Sequence, residues 1–226
     1  QKSAVQGKAN AQFNLALMYS DGLGVQQDYK QAVYWYQKSA DQGGTNAQYN
    51  LALMYDYGRG VQQNYRQAVY WYQKSADQGE AKAQNELALM YDGGRGVKQD
   101  YRQAVYWYQK SADQGDAVGQ FNLGFMYDNG QGVEQDYRQA AYWYQKSADQ
   151  GNVIGQFNLA LMYDNGQGVQ QDYRQAAYWF QKSADQGDER AQSRLGLMYA
   201  KGLGVQRDYR QAAYWFQKSA DQGEAS

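Results

Sequence analysis

Tryptophan stands at Trp35, Trp71, Trp107, Trp143, Trp179 and Trp215, and methionine at Met18, Met54, Met90, Met126, Met162 and Met198. Both series advance by 36 residues without a slip. A fixed period of this length means stacked units, each too small to bury its own apolar face alone and each sharing a core with its neighbours. Six units, 11–46, 47–82, 83–118, 119–154, 155–190 and 191–226, fill the chain as a single repeat domain over 1–226. No linker or shift of composition interrupts them. Residues 1–10 align with the tail of a further, partial unit, because Gln1 matches Gln37 and Gly7 matches Gly43.

Each unit reads as two helices. The first is expected from about Asn46 to Asp56, with Ala47, Leu51, Met54 and Tyr55 on one stripe. It stops at Gly58 and Gly60, where glycine permits the positive φ of a tight reversal. The second begins after Asn64 and turns Tyr65, Ala68, Val69, Tyr72 and Ala76 inward, with Trp71 at the edge of the stripe. Asp28, Asp100, Asp136, Asp172 and Asp208 hold the Asn64 place, each with Gln three residues on, which predicts an N-cap and a capping box. Gly43, Gly79, Gly115, Gly151, Gly187 and Gly223 sit where a glycine ends a helix, and Asp116, Asn152 and Asp188 can cap the next one. Connections this short make neighbouring helices antiparallel, so the fold class is all-α.

The composition removes most catalytic chemistry. Histidine, cysteine and proline are absent. Without the first two there is no thiolate metal site, no disulfide and no Ser-His or Cys-His nucleophile. A net charge of −1 argues against a nucleic-acid footprint, and no apolar run is long enough to span a membrane. The glycines never complete G-x-G-x-x-G, and no G-K-[ST] follows them. Neither a cofactor nor a metal is expected, and an enzyme is not the reading; a hydrolase stands only as the second alternative to a binding scaffold. The row Asp56, Asp92, Asp128 and Asp164 is the one set of carboxylates in register for a dyad or an oxygen-ligand site, and its repetition reads instead as a groove rim.

At A-Q-x-N-L-A-L-M-Y, G-x-G-V and D-Y-R-Q-A-V-Y-W-Y-Q-K-S-A-D-Q-G, the chain resembles the Sel-one-like repeat (SLR) family, a relative of the tetratricopeptide repeats, over essentially its whole length. The resemblance implies a right-handed α-solenoid superhelix whose first helices line a concave groove. It also implies a bacterial scaffold or adaptor that binds a protein or peptide, periplasmic or secreted. Some relatives act as immunity proteins against a toxin, and others bind host proteins. A cysteine-rich branch has been linked to penicillin recognition, but that chemistry needs S-x-x-K, which no serine here completes.

The six units can be compared with one another. On a helical wheel begun at Ala47, the unchanging positions, represented by Gln48, Leu51, Met54, Tyr55 and Gly58, fall on one side. The changing positions fall opposite, and a surface free to differ is the candidate partner face. Phe13, Tyr49, Phe121 and Phe157 at the third position, with Leu17, Leu53, Phe125 and Leu161 one turn on, form an apolar stripe. Asn85 and Ser193 at the third position mark it as one that burial does not require. Both rows can meet a partner, or can pack between adjacent first helices. Asn14, Asn50, Asn122 and Asn158 lie beside the stripe, able to pair with a peptide backbone. Arg190, Arg194 and Lys201 make the far end basic.

The resemblance also carries a carboxylate clamp, in which Asn158 with Arg190 and Arg194 would hold an acidic group; the alternative is two solvated arginines. Trp35 and its equivalents recur with the core and read as packing. Tyr34 and its equivalents point away from the core, one turn from Lys38-type residues, and are expected to stack with them. Gln1 begins inside what reads as a second helix and Ser226 ends a unit without a polar cap. A fragment of a longer array is therefore expected, missing its native N-terminus and able to associate end to end through uncapped repeats.

Overall fold

The computed structural model describes residues 2–223, and they form six helix-turn-helix pairs with no strand among them. The helices are α1 (Lys2–Asp21), α2 (Tyr29–Ala40), α3 (Thr45–Tyr57), α4 (Tyr65–Asp77), α5 (Ala81–Gly93), α6 (Tyr101–Asp113), α7 (Ala117–Asn129), α8 (Tyr137–Asp149), α9 (Val153–Asn165), α10 (Tyr173–Asp185), α11 (Glu189–Lys201) and α12 (Tyr209–Gly223). They fall into two compact units, Gln1–Gln114 and Gly115–Ser226.

Local chemistry sets the helix ends. Asp100 accepts from the backbone N–H groups of Arg102 and Gln103, and Asp28, Asp136, Asp172 and Asp208 do the same in their repeats. The expected capping box is only half made. The backbone N–H that the box would leave for Gln103 is taken by a helix carbonyl, Asp100 N–H donating to Tyr91 O at 3.0 Å. The neighbouring Gln99 instead closes the turn, its Nε2 donating to Asp92 O at 2.6 Å. First helices end on left-handed glycines, such as Gly58 at φ 67° and Gly94 at φ 64°. Asp116, Asn152 and Asp188 cap α7, α9 and α11 as the sequence predicts.

The tail alignment of residues 1–10 meets a difference. Gly7 does not end a helix, because α1 runs unbroken from Lys2 to Asp21, and α12 likewise runs on to Gly223. Gly43 and Gly79, by contrast, turn the chain at φ 87° and 95° so that the next helix can pack back. Gln1 and residues 224–226, on which the end-face expectation partly rests, lie outside the described residues.

Within each unit the repeats are joined by the residues that never change. Leu51, Leu87, Leu123, Leu159 and Leu195 are buried, as are Met54, Met90, Met126, Met162 and Met198. A buried glutamine threads every joint. In unit 1, Gln84 Nε2 donates to Ala76 O of the preceding repeat at 3.1 Å, while its Oε1 accepts from Gln114 Nε2 at 2.7 Å. In unit 2, Gln156 donates to Ala148 O at 3.1 Å and accepts from Gln186 at 2.8 Å. One amide thus ties three helices, and a buried amide left unpaired would cost about 1–3 kcal/mol. Ser75, Ser147 and Ser183 add a hydroxyl bond from each second helix to the first turn of its partner. Trp71, Trp107, Trp143, Trp179 and Trp215 are buried rather than at an edge. The indole N–H groups of Trp71, Trp143, Trp179 and Trp215 find no acceptor, so packing and ring contacts, not hydrogen bonds, hold those rings.

The second glycine of each turn is fixed by its neighbour. Gly96 has φ +72°, and a Cβ built on it would lie 2.5 Å from the backbone of Tyr65 in the preceding repeat. Gly79 has φ +95° with open space around it. Gly79→Ala should therefore cost only the left-handed strain of about 1–2 kcal/mol, whereas Gly96→Ala adds overpacking and should cost about 2–5 kcal/mol. Urea denaturation of the two variants checks this, and equal losses would contradict it.

Candidate functional site

The varied face of the first helices is partly packed. At the third position, Phe13 lies 6.0 Å from the Tyr36 ring, Tyr49 6.0 Å from Tyr72, Phe121 5.8 Å from Tyr144 and Phe157 5.7 Å from Phe180. Each ring therefore leans on the second helix of its own repeat. Phe157 and Asn85 are buried, which corrects the expectation that Asn85 marks a position free of burial; Ser193 is exposed. One turn on, Leu17, Leu53 and Leu161 are half-buried, and Phe125 is 41% exposed. Asn14 is exposed, and Asn50, Asn122 and Asn158 are half-buried. Asn50 and Asn158 donate back to Asn46 O at 2.8 Å and Ile154 O at 3.1 Å, which leaves each side-chain carbonyl to accept.

The aspartate row is not a rim. Asp56 is buried, and Asp92, Asp128 and Asp164 are half-buried. The Tyr72 hydroxyl donates to Asp56 at 3.3 Å and the Tyr144 hydroxyl to Asp128 at 3.2 Å; Tyr108 serves Asp92 in the same way. Arg95 of the following repeat lies 3.6 Å from Asp56. Burial pushes the carboxyls of Asp56, Asp92 and Asp128 above the usual range, against the lowering effect of those phenols and of Arg95. The phenols respond in kind. Burial raises Tyr72, Tyr108 and Tyr144 far above the ordinary range, and Tyr36 to about 12. At Asp164 the phenol is missing, because Phe180 stands where the other repeats have tyrosine. Residue exchange does not reveal the pairing, because Asp164 faces Phe180 and Ser20 faces Tyr36, and only Ala200 with Phe216 changes in step.

The basic end is also rearranged. Arg190 pairs with Asp188 at 2.7 Å and lies 4.3 Å over the Phe157 ring. Its hydrogen bonds to Asp188 raise its pKa further. Arg190 therefore enters any contact already neutralised. Arg194 and Lys201 are exposed. Among the described residues no group of three or more Asp, Glu, His or Cys is placed to hold a metal ion, and no helix is long and apolar enough to cross a membrane.

The opposite, second-helix face behaves as its sequence predicts. Lys38, Lys74, Lys110, Lys146, Lys182 and Lys218 lie 4.8–5.6 Å over Tyr34, Tyr70, Tyr106, Tyr142, Tyr178 and Tyr214. At about 0.5–1 kcal/mol per exposed pair, these contacts stiffen each helix without needing a ligand.

The raised carboxyls make a prediction. A group with a higher pKa in the folded state holds its proton more tightly there, so stability is lost as pH rises through the raised pKa. Asp92→Asn stays neutral and keeps an acceptor for Tyr108, so it should gain on the wild type as pH climbs from about 4 to 7. Thermal denaturation across that range tests it. A wild type that instead gains on the variant would contradict the burial account.

The sequence matches the Sel1 repeat family over residues 9–44, 45–80, 81–116, 117–152, 153–188 and 189–224. The fold resembles that of a protective antigen of uropathogenic Escherichia coli with an SLR fold: 42% identity, TM-score 0.92, covering 99% of this chain and 49% of the antigen's. The chain thus spans about half the length of that relative. It also resembles a Sel1 repeat protein from Oxalobacter formigenes, with 34% identity and TM-score 0.85, over 95% of this chain and 86% of that one. An immunity protein of Pseudomonas aeruginosa shares the fold at 20% identity and TM-score 0.55, over 94% and 81% of the two chains. No curated protein matches.

Proposed function

Because the chain belongs to the Sel1 repeat family, a fold used for protein–protein interaction, we propose that it is a scaffold that binds a protein or peptide on its first-helix face, without catalysis of its own. One observation carries the reading: within the first helices, substitutions that change polarity or charge gather on that face, while the joints keep the same Gln, Leu and Met in all six units and exchange Ala only for Gly, at Gly119, Gly124, Gly155 and Gly196. Packing demands sameness, and recognition rewards difference. The half-exposed asparagines and the exposed Phe125 supply paired amides and an apolar anchor of the kind a peptide segment uses.

The immunity and host-binding roles implied by the resemblance are narrower versions of the same activity.

Panning a random peptide library on the protein tests the docking face. Selected peptides should lose about tenfold or more in affinity for Phe125→Ser. They should keep their affinity for Lys146→Ala, on the second-helix side of the same unit, with circular dichroism confirming that both variants stay folded. Selected peptides indifferent to Phe125→Ser but sensitive to Lys146→Ala would place recognition on the second helices and overturn the reading.

A further inference from the structure

Unit 2 exposes apolar side chains where unit 1 does not. Val118, Phe125, Ile154 and Leu197 are between 36% and 44% exposed, and all four stand on α7, α9 and α11. The equivalent places in unit 1 hold the exposed Asn46 and Lys82 and the half-buried Leu53 and Leu89. On each of the three helices the stripe is built at the same spacing, i, i+4 and i+7, so its members share one face. The chemistry runs Val118, Asn122, Phe125 on α7, then Ile154, Asn158, Leu161 on α9, then Arg190, Arg194, Leu197 on α11. The contact of Arg190 with the Phe157 ring at 4.3 Å sets the α11 stripe directly against α9.

Charge is then concentrated at one end. Arg190 is spent on Asp188, but neither Arg194 nor Lys201 has an ion-pair partner among the described residues. No acidic residue occupies the three stripes. An unbalanced pair of cations beside exposed apolar side chains leaves a complementary partner well defined. We infer that unit 2 receives a partner segment in which large apolar side chains are followed by carboxylates, the apolar ones on α7 and α9 and the carboxylates over Arg194 and Lys201. This rests on the docking face proposed above and adds the chemistry of the partner. Two cations are too few to hold an anionic bilayer, which takes clusters of about 4–8, and the flanking amides of Asn122 and Asn158 suit a peptide backbone.

The test uses the full chain and two fluorescein-labelled 12-residue peptides. Both alternate leucine and serine; one ends in three glutamates and the other in three glutamines. The acidic peptide should bind about tenfold more tightly at low salt, and the difference should shrink as salt screens it. The double variant Arg194→Gln, Lys201→Gln should erase the preference and leave the neutral peptide's affinity unchanged. Equal binding of the two peptides that still fails with Phe125→Ser would sink the acidic partner and leave the docking face standing. If neither peptide binds, and library-selected peptides ignore Phe125→Ser, both readings fall. Binding of phosphatidylserine vesicles that the double variant abolishes, with no peptide bound, would also overturn the inference in favour of a membrane.

Discussion

A single side-chain amide holds each joint within a unit together. Gln48, Gln84, Gln156 and Gln192 are buried between repeats, each donating to the last turn of the preceding second helix. Each also accepts from a glutamine of the second helix that follows, at 2.7–2.9 Å. Burying an amide is costly unless both its ends are paired, and here both are. The geometry needed to pair them fixes how one repeat sits on the next within each unit. The glycine that lets a turn touch the backbone of the preceding repeat, as Gly96 does at Tyr65, has the same consequence. Neither feature tolerates exchange, and neither is exchanged.

With the joints fixed, the first helices are free to differ only where they face away from them. That freedom is used unevenly. In unit 1 the stripes carry Asn46, Asn50, Lys82 and Glu86, and the carboxylates beneath are satisfied by phenols and by Arg95. In unit 2 they carry Val118, Phe125, Ile154 and Leu197, followed by basic residues. At the first place of the stripe the same scaffold therefore presents Asn46 and Lys82 in one unit and Val118 and Ile154 in the other, where Arg190 follows.

Much of this was legible in the sequence. The 36-residue period fixes the helix pairs, and the Asp100-type caps and Gly79-type turns fall where their side chains and φ freedom demand. The Tyr106–Lys110 stacks follow from i, i+4 spacing on one helix. The errors came where a side chain's surroundings are set by a different helix. A wheel drawn for α3 places Asp56 at an edge, but Tyr72 from α4 and Arg95 beyond α5 close over it. The same blindness hides the Tyr49 and Tyr72 contact and the burial of Asn85. Arg190 reads as a free cation until Asp188 and Phe157 are seen to hold it.

The most direct measurement concerns the joint. Gln156→Leu keeps the side chain's bulk but removes its bonds to Ala148 O and from the Gln186 amide, which retain only their contacts with Gly151. Urea denaturation should show the variant less stable by about 1–3 kcal/mol, with peptide affinity on the α7–α11 face lowered only as far as folding is lost. A variant as stable as the wild type would mean that the buried amides do not hold the repeats together, and the division between constant joint and variable face would fail.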